Sequence, residues 1–443
     1  MASRSFEPPS GTRDFLAREL RTRHHVFGLV QEVFERYGFE PLQTPAFERL
    51  EALTGKYGDE GDKLIFKILR RGEHEARGEA DLALRYDLSV PLARVVATYG
   101  SRLPSPYKRY AMGLVWRGDR PGKGRFREFA QCDVDVVGSA SPLAEAEVVC
   151  AAADALAAVG VRDFTFLVNS RRALAGLLEV YGVPGDLGGG VLISLDKLDK
   201  LSPEDVVREL VDVRSLDAAT AGALVGDLTA EDATDRMRTA LKDSAEGSAG
   251  LAEIDRLLAL ARPATGRLVF TPSLVRGLDY YTGVIFEIVA PGVPGSIGSG
   301  GRYDHLIETL GGPDVPACGA SLGIERVLGL LDDLGGDGPR LDAAVTVPAA
   351  DAGAEADAMD FASRLRGAGL SAEVYLGSSG KLAKQLKWAA DRRARFALIY
   401  GAREREAGAV TVRDMDSGEQ VAVAPDRLAA HLTKSEEKPA AQA

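Results

Sequence analysis

Cysteine is scarce in this chain. Cys132, Cys150 and Cys318 are the only three in 443 residues, far apart and without a C-x-x-C pair. That argues against a disulfide framework or a structural zinc site and makes them core thiols. Long apolar runs are missing too: none approaches the ~18 residues that a membrane span needs. The segment from Met1 to Leu16 has no apolar core of a secretory signal, so the cytoplasm is the expected compartment. Of the five histidines, His24 and His25 sit on a charged helix, and His74 and His431 lie in polar surroundings. A histidine-centred acid–base or metal mechanism is not expected. The phosphate-loop motif is absent, because Gly55-Lys56, Gly122-Lys123 and Gly380-Lys381 are followed by Tyr, Gly and Leu rather than Ser or Thr. The glycine-rich run 295–301 lacks the G-x-G-x-x-G spacing and a surrounding βαβ pattern. No H-E-x-x-H motif occurs. An enzyme built from this chain must work through arginines and carboxylates.

What is present is an ordinary globular composition, 45% apolar and 27% charged, long enough for about three domains. The net charge of −11 is unevenly spread. Residues 107–127 carry Lys108, Arg109, Arg117, Arg120, Lys123, Arg125 and Arg127 against Asp119 alone, interleaved with Tyr107, Tyr110, Trp116 and Phe126. Residues 381–395 carry Lys381, Lys384, Lys387, Arg392, Arg393 and Arg395 against Asp391, whereas 201–255 is strongly acidic. Two basic segments on an acidic chain suggest local polyanion sites, with a solvated helix face as the alternative for 381–395.

Helical periodicity runs from Leu16 to Tyr37 and stops at Gly38. Leu82–Val90 and Phe126–Val137 alternate as strands, and Leu143–Val159 is an Ala-rich helix. Residues 171–262 are helical throughout, strands return at Arg267–Phe270 and Val284–Val289, and Leu322–Leu334 reads as a helix. A Gly/Pro linker, Gly335–Pro339, precedes a small α/β domain. The polar tail Thr433–Ala443 is expected to be disordered.

The most informative segment is Arg125-Phe-Arg-Glu-Phe-Ala-Gln-Cys-Asp-Val-Asp-Val-Val137. On a strand its even positions form a core face, and its odd positions present Arg125, Arg127, Phe129, Gln131, Asp133 and Asp135 on the other. Such a surface can floor a site: arginines for phosphate, Phe129 for stacking on a base, carboxylates for a nitrogenous ligand. The competing reading is a half-exposed edge strand laced with salt bridges. Around it stand Arg117 at the end of a preceding strand, Arg85, Asp87 and Ser89 on one face of another, Arg276-Gly-Leu-Asp-Tyr-Tyr281 beside a turn, and Arg326 near a helix start, where an anion is favoured.

Taken in order, these segments resemble a known family. Gly38-Phe-Glu-Pro-Leu-Gln-Thr-Pro45, Arg117-Gly-Asp-Arg-Pro121 through Phe129, and Gly323-Ile-Glu-Arg326 resemble motifs 1, 2 and 3 of class II aminoacyl-tRNA synthetases. Arg276–Tyr281, Gly300-Gly-Arg-Tyr-Asp304 and the run from Gly380 to Gln420 resemble the histidyl-tRNA synthetase branch and its anticodon-binding domain. The resemblance implies ATP-dependent joining of L-histidine to its tRNA through histidyl adenylate. It also implies an α+β class II core, a mainly antiparallel sheet flanked by helices, from 1–170 and 263–335. A helical insertion at 171–262, an anticodon-binding domain at 340–432, a homodimer paired through motif 1, and Mg²⁺ beside ATP complete it, the metal ligands unknown.

Carried residue by residue, the resemblance gives Arg117 the α-phosphate and the amino-acid carboxylate, and Arg276 the charge on the α-phosphate, both as catalytic groups. Phe129 and Asp119 fall in the ATP site, with Arg326 at the γ-phosphate. Asp87, Leu88, Ser89 and Gln131 surround the histidine α-amino group. Asp135 and Tyr281 meet the imidazole, Tyr280 lines that pocket, and Gly300–Tyr303 closes it. Arg120, Lys381, Lys384 and Lys387 face tRNA. Many bacterial members carry glutamate where Asp87, Asp119 and Asp135 stand, so contacts here are a methylene shorter and open to bridging water. The rival readings are a non-catalytic regulatory paralogue of the core, another class II synthetase, and a pure RNA-binding module.

Overall fold

The computed structural model describes residues 6–275, 280–331, 340–348 and 352–434. The chain divides into two compact units, Met1–Gly335 and Gly336–Ala443. The strands of the first are β1 (Glu40–Pro41), β2 (Phe47–Arg49), β3 (Lys67–Leu69), β4 (Ala80–Leu84), β5 (Tyr107–Trp116), β6 (Glu128–Val137), β7 (Thr165–Ser170), β8 (Arg267–Phe270), β9 (Val284–Val289), β10 (Gly298–Arg302) and β11 (Ala317–Gly323). Eight of them form one sheet in the order β1-β5-β6-β11-β10-β9-β7-β8, and β2-β4-β3 form a small second sheet. From β5 across to β7 every pairing is antiparallel, and only the two edge pairs are parallel. The expected mixed, mainly antiparallel sheet is therefore present.

The period of two along β6 holds. Ala130, Cys132, Val134 and Val136 are buried in the main core, to which helices Ala17–Arg36 and Pro142–Ala158 contribute. The first helix ends where expected, because Gly38 takes φ of 75°, a conformation a side chain would strain. Cys132 and Cys318 are buried thiols and Cys150 is half-buried. The acidic segment is helical from Arg171–Val180 to Ala245–Leu260, with Leu174, Leu177, Val206 and Leu224 in the same buried cluster as Val134 and Phe166. The insertion thus shares the core of the sheet rather than owning one.

Two elements differ from the sequence reading. The strand expected over Leu82–Val90 stops at Leu84, and Ser89–Tyr99 is a helix. Pro91 lies in its first turn, where a missing N–H costs nothing, and the Asp87 carboxylate accepts from Val90 N at 3.0 Å. The helix expected over Leu322–Leu334 begins only at Ile324, since Leu322 and Gly323 end β11 opposite Cys132 and Gln131. Arg276, the linker Gly335–Pro339 and tail residues 435–443 lie outside the described residues, while Thr433 and Lys434 belong to a last helix, Leu428–Lys434.

In the second unit β12 (Leu341–Val345), β13 (Ala372–Val374), β14 (Ala394–Ile399), β15 (Val410–Asp414) and β16 (Gln420–Val423) make a five-stranded sheet ordered β13-β12-β14-β15-β16, with helices at Ala352–Gly367 and Leu382–Asp391. Gln385 is wholly buried and exchanges hydrogen bonds with Val347, at 2.7 Å in each direction, which turns the opposite side of the Leu382–Asp391 helix to solvent. No helix among the described residues is long and apolar enough to cross a membrane.

A buried ion pair ties the first helix to the sheet. Arg23 Nη1 stands 2.6 Å from Glu325 Oε1, and Ala130 N donates to Glu325 Oε2 at 2.8 Å. Both side chains are nearly inaccessible, so losing one partner strands a charge. Arg23→Met is expected to destabilise the first unit by about 3–5 kcal/mol. Urea denaturation followed by tryptophan fluorescence measures this, and a change below about 1 kcal/mol would show that the pair does not hold the helix.

Candidate active site

The β5–β6 hairpin sets the geometry. Its register pairs Trp116 with Glu128 and, nine rungs further, Tyr107 with Val137. Arg117 leaves the end of β5 with its N–H on Arg127 O at 2.9 Å. Its Nε donates to Tyr86 O at 3.1 Å, and the guanidinium lies 4.4 Å from the Tyr86 ring centroid and 5.3 Å from that of Phe129. Phe129 packs partly on Leu88, Ala111 and Val115, leaving it half-buried. In the hairpin loop Asp119 pairs with Arg125 at 2.7 Å, and Arg127 Nε donates to Asp119 O. Arg120 is exposed.

Asp87 lies in the turn between β4 and the helix Ser89–Tyr99 and is 2% exposed. Tyr57 and Tyr280 donate to its two oxygens at 3.2 and 3.3 Å. Burial pushes its pKa up, against the Val90 N–H and the charge of Arg117, which pull it down.

The far end of the β6 odd face is a carboxylate pair in the protein interior. Asp133 and Asp135 are 1% and 2% exposed. Burial raises both pKa values, Arg109 counteracts it, and each feels neighbouring negative charge. Tyr303 donates to Asp135 Oδ1, and Arg109 Nη2 stands 2.9 Å from Oδ2. Asp133 Oδ1 and Gln131 Oε1 remain buried without an aligned hydrogen bond, which leaves acceptors for a ligand's N–H groups. Gln131 Nε2 itself donates to Ser321 on β11. Opposite Asp135 is Gly319, and a Cβ there would stand 2.6 Å from the Asp135 carboxyl carbon. The tyrosines close the chamber: Tyr280, Tyr281 and Tyr303 have ring centroids 5.1–6.5 Å apart. Burial first, then Asp135, Asp87 and Asp133 raise the Tyr281 pKa while Arg117 lowers it, so all four charges surround this one phenol.

Arg326, on the short helix Ile324–Leu328, donates from Nε to Gly124 O at 3.2 Å and from Nη1 to Ser296 O. It borders a cavity of about 410 Å³ that Arg13, Phe15, Phe126 and Leu328 also line. The surface therefore runs from a cationic, aromatic end at Arg117 and Phe129 to an acidic chamber around Asp87 and Asp135.

The family model for histidyl-tRNA synthetases matches residues 11–327, and that for the anticodon-binding domain matches 342–435. The chain belongs to the histidyl-tRNA synthetase family. A histidine–tRNA ligase of Gloeobacter violaceus is 40% identical over 442 residues, 93% of this chain and 94% of that relative. One of Rhodopirellula baltica is 40% identical over 433 residues, covering 94% and 96%. The crystal structure of the histidyl-tRNA synthetase from Nostoc aligns over 97% of this chain and 99% of that one, with a TM-score of 0.72 and 29% identity. The reaction is that of the histidyl-tRNA synthetase family, ATP-dependent ligation of L-histidine to tRNA through histidyl adenylate.

The structure brings together Asp87, Leu88, Ser89, Arg117, Phe129, Gln131, Asp135, Tyr280 and Tyr281 around one sheet face. Arg276 lies outside the described residues. Two residues of the basic segment 107–127 do not face a polyanion. Arg109 is 0% exposed and paired with Asp135, and Lys108 pairs with Glu147 at 2.7 Å over the Phe39 ring. Arg85 is not in the pocket either, since it donates to the main-chain oxygens of Leu114, Thr44 and Pro45. Tyr57, Arg109 and the hydroxyl of Tyr303 were not anticipated. For Arg109 a signal existed, because the hairpin register that sets Arg117 beside Arg127 also sets Arg109 opposite Asp135.

Proposed function

We propose that histidine lies across β6, its α-ammonium group received by Asp87, Ser89 and Gln131 around the Leu88 main chain and its imidazole by Asp135 and Tyr281, with Tyr280 lining that end. The observation that carries this is the pair of buried carboxylates, Asp87 and Asp135, facing Tyr281 together with Arg117. Arg117 holds the substrate carboxylate against the ATP α-phosphate, Phe129 stacks on adenine, Arg326 meets the γ-phosphate, and Arg276 stabilises charge on the α-phosphate. The adenylation step is attack of the histidine carboxylate oxygen on that phosphorus, with pyrophosphate leaving. Negative charge on the phosphate oxygens grows in the transition state, so fixed arginines stabilise it and no side-chain nucleophile is needed. Imidazole N–H groups meet buried acceptors that an apolar side chain would leave unpaired, which rejects such amino acids by on the order of 10⁴.

Mg²⁺ typically uses one or two carboxylates plus the substrate's phosphates. Asp119, a mostly buried carboxylate two residues past Arg117, fits that sparse donor set and would hold it. The ion neutralises triphosphate charge when bound. Residues 1–170 and 263–335 act as the catalytic core, 171–262 as the helical insertion and 340–432 as the anticodon-binding domain. Two copies pair through the motif 1 region, which the half-exposed Phe47 and Leu69 of the small sheet support. The working compartment is the cytoplasm.

A solved structure from Bacillus halodurans titled as an ATP phosphoribosyltransferase regulatory subunit/histidyl-tRNA synthetase shares the fold, with a TM-score of 0.68 at 21% identity. The anticodon-domain match at 342–435 and the complete Asp87–Arg117–Asp135 set favour the ligase over that regulatory role. Pyrophosphate exchange tested with each of the twenty amino acids decides. Exchange with histidine alone is expected, and none with any amino acid would leave the regulatory reading.

Lys381, Lys384 and Lys387 are exposed at the start and along one side of the Leu382–Asp391 helix, with Lys387 paired to Asp391 at 2.9 Å. They act on the tRNA backbone, which is salt-sensitive and carries little sequence information. The triple Lys→Ala variant is expected to raise the tRNA KM severalfold and flatten its salt dependence while leaving amino-acid activation unchanged. A wild-type tRNA KM would assign the lysines to solubility.

A further inference from the structure

We propose that Arg109 is the positioning residue of the histidine pocket, coupling its α-amino end to its imidazole end from behind the floor. The proposal rests on reading Asp135 as the imidazole acceptor. Arg109 is 0% exposed, so nothing entering the chamber reaches it. One nitrogen, Nη2, serves both ends: it stands 2.9 Å from Asp135 Oδ2 and donates to Leu88 O at 2.9 Å. Leu88 is the residue between Asp87 and Ser89, at the start of the helix whose Val90 N–H caps Asp87. A shift of the guanidinium therefore moves the carboxylate at one end and the main chain at the other.

A purely structural role does not account for this arginine. Its Nε and Nη1 are buried without hydrogen-bond partners, and buried ion pairs of this kind are commonly replaced by apolar side chains at little or no cost in stability. What an apolar residue cannot do is keep Asp135 ionised between Asp133 and the tyrosines. Among the described residues, the titratable groups facing Asp135 are Arg109 and Tyr107 from β5, Asp133 on its own strand, Cys318 on β11, and Tyr303, Tyr281 and Asp87. Arg109 is the one cation in this set. Paired with it, Asp135 accepts an N–H from a neutral imidazole instead of requiring an imidazolium.

Histidine-dependent pyrophosphate exchange across pH 6–9 tests this in three full-length variants. In Arg109→Met the histidine KM is expected to rise about tenfold or more, with the ATP KM within about twofold of wild type. Without its cation Asp135 ionises later, so the pH at which the histidine KM levels off moves upward by about one unit or more. Arg109→Lys keeps a cation but not the fork, so it retains the wild-type pH profile with a raised histidine KM. A wild-type histidine KM and profile in folded Arg109→Met overturns the proposal. If that variant does not fold, a wild-type KM in Arg109→Lys overturns it. Asp135→Asn separates the two levels. An unchanged histidine KM there removes the imidazole reading and the proposal with it. A raised KM there beside wild-type Arg109 variants removes only the role of Arg109.

Discussion

Arg117→Ala is expected to lower histidine-dependent ATP–pyrophosphate exchange by about 10²–10³-fold, the usual loss when one fixed donor is removed from a developing oxyanion. The guanidinium is preorganised before any substrate arrives. The Tyr86 carbonyl holds its Nε, and the rings of Tyr86 and Phe129 fix its plane. Water cannot substitute for a donor held in that way, because it must reorient as charge develops. Arg117 is only half-buried and caps no core cluster, so the far-UV circular dichroism of the variant should match wild type. Lysine at this position restores little, since a point charge on a flexible stem does not reproduce a stacked planar fork. Exchange within about threefold of wild type in a folded Arg117→Ala protein would remove Arg117 from the chemistry.

The second large effect comes from a position with no functional group. At Gly319 an added Cβ would overlap Asp135 Oδ1, stand 2.6 Å from its Cγ and lie 3.0 Å from the carbonyl oxygen of Val134. The main-chain oxygen cannot retreat without breaking the β6–β11 ladder, so the carboxylate must move, and it loses Tyr303 and Arg109 as it does. Gly319→Ala should therefore raise the histidine KM by about 10²-fold, in line with the cost of a displacement of about 1 Å at a site. The ATP KM should stay near wild type, because Phe129 lies six residues from Asp135 toward the other end of β6. Equal losses for both substrates would mean that the sheet, rather than the pocket, had been damaged.

The parts of this site that the sequence made legible are those governed by local periodicity. The alternation from Phe129 to Val136 predicted one apolar and one polar face, and the packing of Ala130, Cys132, Val134 and Val136 bears it out. What alternation cannot convey is depth. A polar face reads as exposed or half-exposed, yet Asp133 and Asp135 are about as buried as Val134 between them, because β5 and β11 flank β6 and the tyrosines roof it. The same gap explains Arg109. Counted among neighbouring bases it looked like part of a phosphate-binding stripe, and only the strand pairing that sets it opposite Asp135, 26 residues downstream, reveals its carboxylate partner. The end of β4 was misjudged for a different reason. Leu82–Val90 alternates well, but Pro91 in the next turn favours a helix start, and Asp87 and Ser89 are presented by a turn rather than by a strand face.

The glycines beside Asp135 also set a direction for any change in the chamber. Gly301 on β10 and Gly319 on β11 already have the least volume a residue can have, and a methyl group at either would meet main chain and a chamber side chain, Tyr281 or Asp135. Drift at these two positions can make the chamber smaller and never larger. A redesign aimed at a bulkier amino acid gains no room from the floor. It has to take that room from the roof, from Tyr280, Tyr281 or Tyr303, and the hydroxyls of Tyr280 and Tyr303 are the ones that hold Asp87 and Asp135 in place. Enlarging the chamber and relaxing its choice of side chain are, in this architecture, the same mutation.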